Sequence, residues 1–135
     1  MQSIVMHALY AITEADPRYD MEAYLFLREA LEFTVQKMKK ATRGPLRHVT
    51  GAELAEGFRE YAIEQFGPLT FAVLTKWGIK STEDIGAIVF NLVEAGELGK
   101  TDQDKPEDFN HLYDFHEAFE KPFIPAKPKE KTPDD

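Results

Sequence analysis

Two stretches carry residues whose types and spacing bear on chemistry. The first, "QKMKKATRGPLRH" over residues 36–48, sets Lys37, Lys39, Lys40, Arg43 and Arg47 in a segment with no acid between Thr34 and Ala52. Cations clustered in this way bind phosphate or an acidic partner. Equally, they gather at a helix C-terminus, where they offset the helix dipole. No aromatic residue interleaves them to stack on bases. The second stretch, "STEDIGAIVFNLVEAGELGKTDQDKPED" over residues 81–108, holds eight acids against two bases, a segment charge of −6. Glu83, Asp84, Glu94, Asp102, Asp104, Glu107 and Asp108 are the candidate partner-facing surface, suited by sign to a basic protein partner.

Other constellations are weaker. "HLYDFHE" gathers His111, Asp114, His116 and Glu117, but on a strand His111 and Asp114 would face opposite ways and not share a metal. No Gly-rich phosphate loop or nucleophile-elbow serine is present, and with no cysteine there is no thiolate ligand, thiol nucleophile or disulfide. The sequence therefore assigns no catalytic, cofactor-binding or metal-binding residue, and the reading is non-enzymatic.

Composition sets the frame. The chain has 135 residues, 43% hydrophobic and 30% charged, enough for one domain with its own core. The N-terminal stretch lacks a basic region followed by an apolar run, and no segment reaches the ~18 apolar residues of a membrane span, so a cytoplasmic protein without membrane contact is expected. A net charge of −8 repels polyphosphate at long range.

The elements that must position these residues are mostly helical. Val5, Ala8, Leu9 and Ile12 keep helical spacing over residues 3–15, and "DPRY" breaks that helix. A second helix over residues 21–40, capped by Asp20, carries two apolar stripes. Tyr24, Leu27, Leu31, Val35 and Met38 form one; Ala23, Phe26, Ala30 and Phe33 form the other. So much apolar surface predicts either a central position or a homodimer through this helix. Thr50 and Glu53 have capping-box spacing for a third helix, which ends at Gly67. Pro68 opens a fourth that closes at Gly78 after Trp77, a core anchor. Ser81 caps a fifth, ending at Gly96, with Ile85, Ile88, Val89 and Leu92 predicted to pack on Leu54, Phe58 and Leu74. Beyond it, "ELGKT" and the alternation of Phe109, His111, Tyr113 and Phe115 predict a β-hairpin. From Lys121 the chain turns to Pro, Lys and acid. Disorder is expected after about Phe123, with Pro122, Pro125 and Pro128 at polyproline spacing.

Three successive helices joined by tight Gly-Pro and Gly-Ile-Lys-Ser connections, then "EAGELGKT" and a hairpin, resemble a winged helix-turn-helix module. The resemblance implies that residues 82–95 would enter a DNA groove. The outward positions Glu83, Asp84, Ala87, Asn91 and Glu94 include no Arg or Lys, which argues against DNA reading through this helix. At whole-chain level "DPRYDMEAYLFLREALEFT", "RHVTGAELAEGFREYAIEQFG" and "EDFNHLYDFHEAFEKPF" resemble a small family of bacterial proteins of unassigned activity, found mainly in planctomycete and verrucomicrobial lineages. The expectation is thus a mainly α single domain over 1–123: an N-terminal helical pair (1–40), a winged-helix-like core with a small hairpin (50–120), and a disordered tail (124–135). Its expected role is as a protein-interaction or adaptor module. The alternative is RNA or DNA binding through residues 37–47.

Overall fold

The computed structural model describes residues 2–41, 48–99 and 105–125, the side chains of 2–5 excepted. The fold is mainly helical: α1 (Gln2–Ala15), α2 (Met21–Ala41), α3 (Gly51–Phe66), α4 (Thr70–Lys76), α5 (Thr82–Glu94) and the short α6 (Phe115–Phe119). Arg43, Arg47, Asp102, Asp104 and most of the expected tail lie outside the described residues.

The helix boundaries follow the local chemistry. Thr50 and Glu53 form a reciprocal capping box, the Thr50 Oγ1 accepting the Glu53 N–H at 3.1 Å and the Glu53 carboxylate accepting the Thr50 N–H at 2.9 Å. The Ser81 side chain accepts the Asp84 N–H to open α5. Gly96, at φ 81°, closes α5 through a bond from the Glu97 N–H to the Leu92 carbonyl. Gly78 is required twice over: its φ is 93°, and a Cβ there would strike the Arg18 carbonyl.

Helix α2 is the centre of the fold and packs on α1, α3 and α5. Its contact with α3 is antiparallel, since Phe26 meets Phe66 near one end and Thr34 meets Gly57 nearer the other. The Phe26 ring lies 5.2–5.5 Å from those of Phe58, Tyr61, Phe66 and Trp77, and each such pair adds about 0.5–1.5 kcal/mol beyond burial alone. Trp77 is half-buried and packs against the core. Thr34 is buried, its hydroxyl donating to the Ala30 carbonyl at 2.8 Å.

On its other side α2 meets α5 through polar links. The Asn91 amide donates to both the Tyr24 hydroxyl and the Asp16 carboxylate at 3.0 Å, and Arg28 pairs with Glu97 at 3.3 Å. Arg18 grips Asp16 through two nitrogens, and this guanidinium holds the Asp16 carboxyl well below the usual carboxylate range. Ile85, Ile88 and Leu92 are buried in one core with Leu54, Phe58 and Leu74, as the spacing predicts. Val89 is only half-buried, because it faces a cavity.

The hairpin requires correction. The described residues contain no strand: residues 109–115, expected to form the second strand, start at the end of a 3-10 turn, Pro106–Phe109, and run as turn and loop into α6. The donors a ladder would use are engaged by side chains of α5: the His111 N–H by Glu83 at 3.1 Å and the Leu112 N–H by Thr82 at 3.2 Å. Phe109 is buried against α5, where Gly86 provides the space; a Cβ at Gly86 would come within 2.9 Å of the ring. The Tyr113 hydroxyl donates to the Ala55 carbonyl at 2.6 Å, and its burial pushes the phenol upward. Apolar alternation here marks anchors of a loop laid over two helices.

The closeness of α2 and α3 makes a direct test. A Cβ on Gly57 would overlap the Thr34 hydroxyl, so Gly57→Ala should destabilise by about 1–3 kcal/mol despite the better helix propensity of alanine. In a Thr34→Ala background the same change should cost distinctly less. Urea unfolding of the four variants gives the coupling, and additive costs would show that the two helices do not meet there.

Candidate functional site

The apolar surface that α2 does not bury in the core lines a cavity of about 470 Å³. Its origin lies in helix lengths. Helix α5 runs alongside α2 in the same direction, with Asn91 level with Tyr24 and Glu97 level with Arg28, and it ends at Glu94 while α2 continues to Ala41. The last turns of α2 therefore outrun α5, and Leu31, Val35 and Met38 are half-buried where they would otherwise be sealed. These three form one wall. Val89, Phe90 and Val93 of α5 form a second, and Leu54 at the start of α3 and the buried Phe109 close the remaining sides.

Polar groups keep to the mouth and are mostly engaged. Thr50 belongs to the capping box, and the Asp108 carboxylate accepts the Lys105 N–H at 3.1 Å. His48 and Lys105 stand exposed at the rim. Cavities of ~300–1,000 Å³ with apolar walls and a few polar groups are the usual form of small-ligand sites. Among the described residues its titratable lining groups, His48, Lys105 and Asp108, are exposed.

The acids of residues 81–108 do not form one continuous free face. Asp84 is a structural residue: it accepts the Tyr19 hydroxyl at 2.5 Å and the Lys80 N–H at 2.8 Å. Burial, then the Asp84 contact, pushes the Tyr19 phenol above its ordinary value. Glu83 holds the loop at His111. Against the desolvation that would raise it, N–H donors from its own backbone and from His111 keep its carboxyl below the ordinary range. Asp108 caps the 3-10 turn, and Glu97 is paired with Arg28. Glu94 and Glu107 are exposed; Glu94 lies on the side of α5 that faces α1, beside Ala11 and Asp16.

Among the cations, Lys37 is paired with Glu60, while Lys39 and Lys40 are exposed on the last turn of α2 and do not line the cavity. The residues of "HLYDFHE" separate: His111 sits against Glu83, Asp114 caps α6, and His116 pairs with Glu120. No group of three His, Cys, Asp or Glu spaced to hold a metal ion occurs among the described residues. No described helix is long and apolar enough to cross a membrane. Sequence reasoning missed the cavity, whose one sequence-level signal was the excess apolar surface of Leu31, Val35 and Met38.

Asp84→Ala should cost about 1–3 kcal/mol in denaturant unfolding, because it leaves the Tyr19 hydroxyl and the Lys80 N–H without their acceptor. Glu94→Gln and Glu107→Gln should stay within about 0.5 kcal/mol of the parent. Equal effects at all three positions would mean that the acids act as one surface field. No family model, curated protein or solved structure matches the chain.

Proposed function

We propose that this chain is a non-enzymatic binding module whose site is the apolar cavity between α2, α3, α5 and the Pro106–Phe109 turn. The observation that carries the reading is the cavity itself: about 470 Å³ lined mainly by apolar residues of three helices, beside the buried core. An apolar surface left unfilled against water costs free energy, and a ligand recovers it by burial at about 25 cal/mol per Å².

The acidic surface has less support as the primary site, since Glu83, Asp84, Glu97 and Asp108 are engaged inside the fold. Nucleic-acid binding through residues 37–47 also has less support: Lys37 is held by Glu60, and no aromatic interleaves the segment. The order of α3, α4 and α5 and the tight turn from Gly78 to Ser81 support a winged-helix-like core. On that reading the Pro106–Phe109 turn lies where a wing would start and serves as one wall of the binding site.

Filling the cavity tests the proposal. The neutral apolar dye N-phenylnaphthylamine should bind the parent chain saturably with one site. Val93→Trp and Leu98→Trp, which place indoles in the cavity, should weaken it by about tenfold or more, with the far-UV spectrum and thermal transition retained. Dye binding undiminished in both folded variants would refute the assignment of the site.

A further inference from the structure

The apolar wall of the cavity is short and bounded by polar side chains. On α2 the lining positions Leu31, Val35 and Met38 recur at i, i+4 and i+7, so the wall spans about two turns, or ~10 Å. The neighbouring positions Glu32, Gln36, Lys37, Lys39 and Lys40 are exposed, and on α5 Glu94 is exposed next to the lining Val93. An apolar strip of this length falls short of the ~800 Å² that each partner gives to a stable protein interface. Enclosed by three helices and a turn, it suits a small molecule.

The lining side chains restrict the chemistry of that molecule. The polar ones, His48, Thr50, Lys105 and Asp108, are all exposed, so among the described residues no hydrogen-bonding side chain is buried with the apolar walls. The Thr50 hydroxyl accepts the Glu53 N–H, and the Asp108 carboxylate accepts the Lys105 N–H. A ligand group that needs a hydrogen bond inside the cavity would be left unpaired there. The charged side chains of the lining are one lysine and one aspartate, three positions apart, and their signs cancel. An ionic headgroup resting at this mouth gains little attraction and gives up hydration against the half-buried Met38, Val49 and Leu98.

We infer that the cavity takes an uncharged apolar small molecule with at most one hydrogen-bonding group, that group lying at the mouth. This rests on the cavity being the binding site and adds the class of ligand. An apolar cavity of roughly 150 Å³ holds one benzene. At about 470 Å³ and open at its mouth, this one has space for a body of roughly ten to fifteen carbons by the same measure. That body lies among Leu31, Val35, Val89, Val93 and Phe109, and a terminal hydroxyl or carbonyl stays in water beside Thr50 and Lys105. Burial of carbon supplies the affinity, and selectivity comes from what the site leaves unpaired: a charge or a second polar group.

Displacement of N-phenylnaphthylamine from the full chain tests the inference, with decanol, α,ω-decanediol, decanoate and decyltrimethylammonium as competitors below their micellar concentrations. Decanol should displace the dye about tenfold more tightly than each of the other three. The two ions should agree within about threefold, because Lys105 and Asp108 cancel. Either ion binding as tightly as decanol would overturn the assignment of an uncharged ligand while leaving the site in place. The diol binding as tightly as decanol would mean that the interior holds a polar partner, and would overturn it as well. If no alkyl compound displaces the dye but an apolar helical peptide does, the cavity belongs to a protein partner and the inference falls. If the dye itself never binds, the reading of the cavity as a site fails, and the inference falls with it.

Discussion

Helix α2 carries apolar residues around most of its circumference, and the burial of that circumference is the constraint on which the rest of the structure depends. One face is closed by α3, which approaches so nearly that only glycine fits at position 57, opposite the Thr34 hydroxyl. The cluster of rings about Phe26 forms at the same seam and draws in Phe66 and Trp77 from the far end of α3 and from the α4–α5 connection. A second face is closed by α1 and α5. Because α5 stops at Glu94 while α2 runs to Ala41, the closure is incomplete, and the uncovered part becomes the wall of a cavity. Fold and candidate site thus have one cause: a long two-striped helix whose partners differ in length.

Electrostatics divides the remaining work. Asp84 and Glu83 at the start of α5 lie where the helix dipole favours acid, and both accept further bonds, from Tyr19 and from the backbone of the loop at His111. Asp16, held by Arg18 and Asn91, ties the α1–α2 connection to α5. These carboxylates fix the relative positions of helices. Much of the acid near α5 is thus engaged in the fold, while Lys39, Lys40 and Lys105 stay in solvent.

Local chemistry was largely legible in the sequence, and tertiary closure was not. Thr50, Ser81, Gly67, Gly78 and Gly96 mark helix ends, and the structure places each of them at one, because caps and left-handed stops are decided within a turn of chain. The buried face of α5 at Ile85, Ile88 and Leu92 was legible from its period. The hairpin was misread because alternating Phe109, Tyr113 and Phe115 satisfy a strand pattern. The competing partners, Thr82 and Glu83 for the backbone and Ala55 for Tyr113, lie 25 or more positions earlier in the chain. The acids likewise looked like one surface because charge can be counted along a chain, whereas their acceptor roles depend on Tyr19 and on the loop at His111. The cavity depends on where α5 ends relative to α2, and no local pattern encodes that; only the surplus of apolar positions at Leu31, Val35 and Met38 hinted at it.

The central claim is that the overhang of α2 encloses an apolar space open to a ligand. Xenon is the most direct probe, since it enters apolar cavities without needing a polar partner. Methyl-resolved NMR of the protein under xenon pressure should show saturable shifts confined to Leu31, Val35, Val89, Val93 and Leu98, with core methyls such as Ile79 and Leu9 unmoved. Shifts absent from these methyls, or spread evenly over core and surface, would contradict the account.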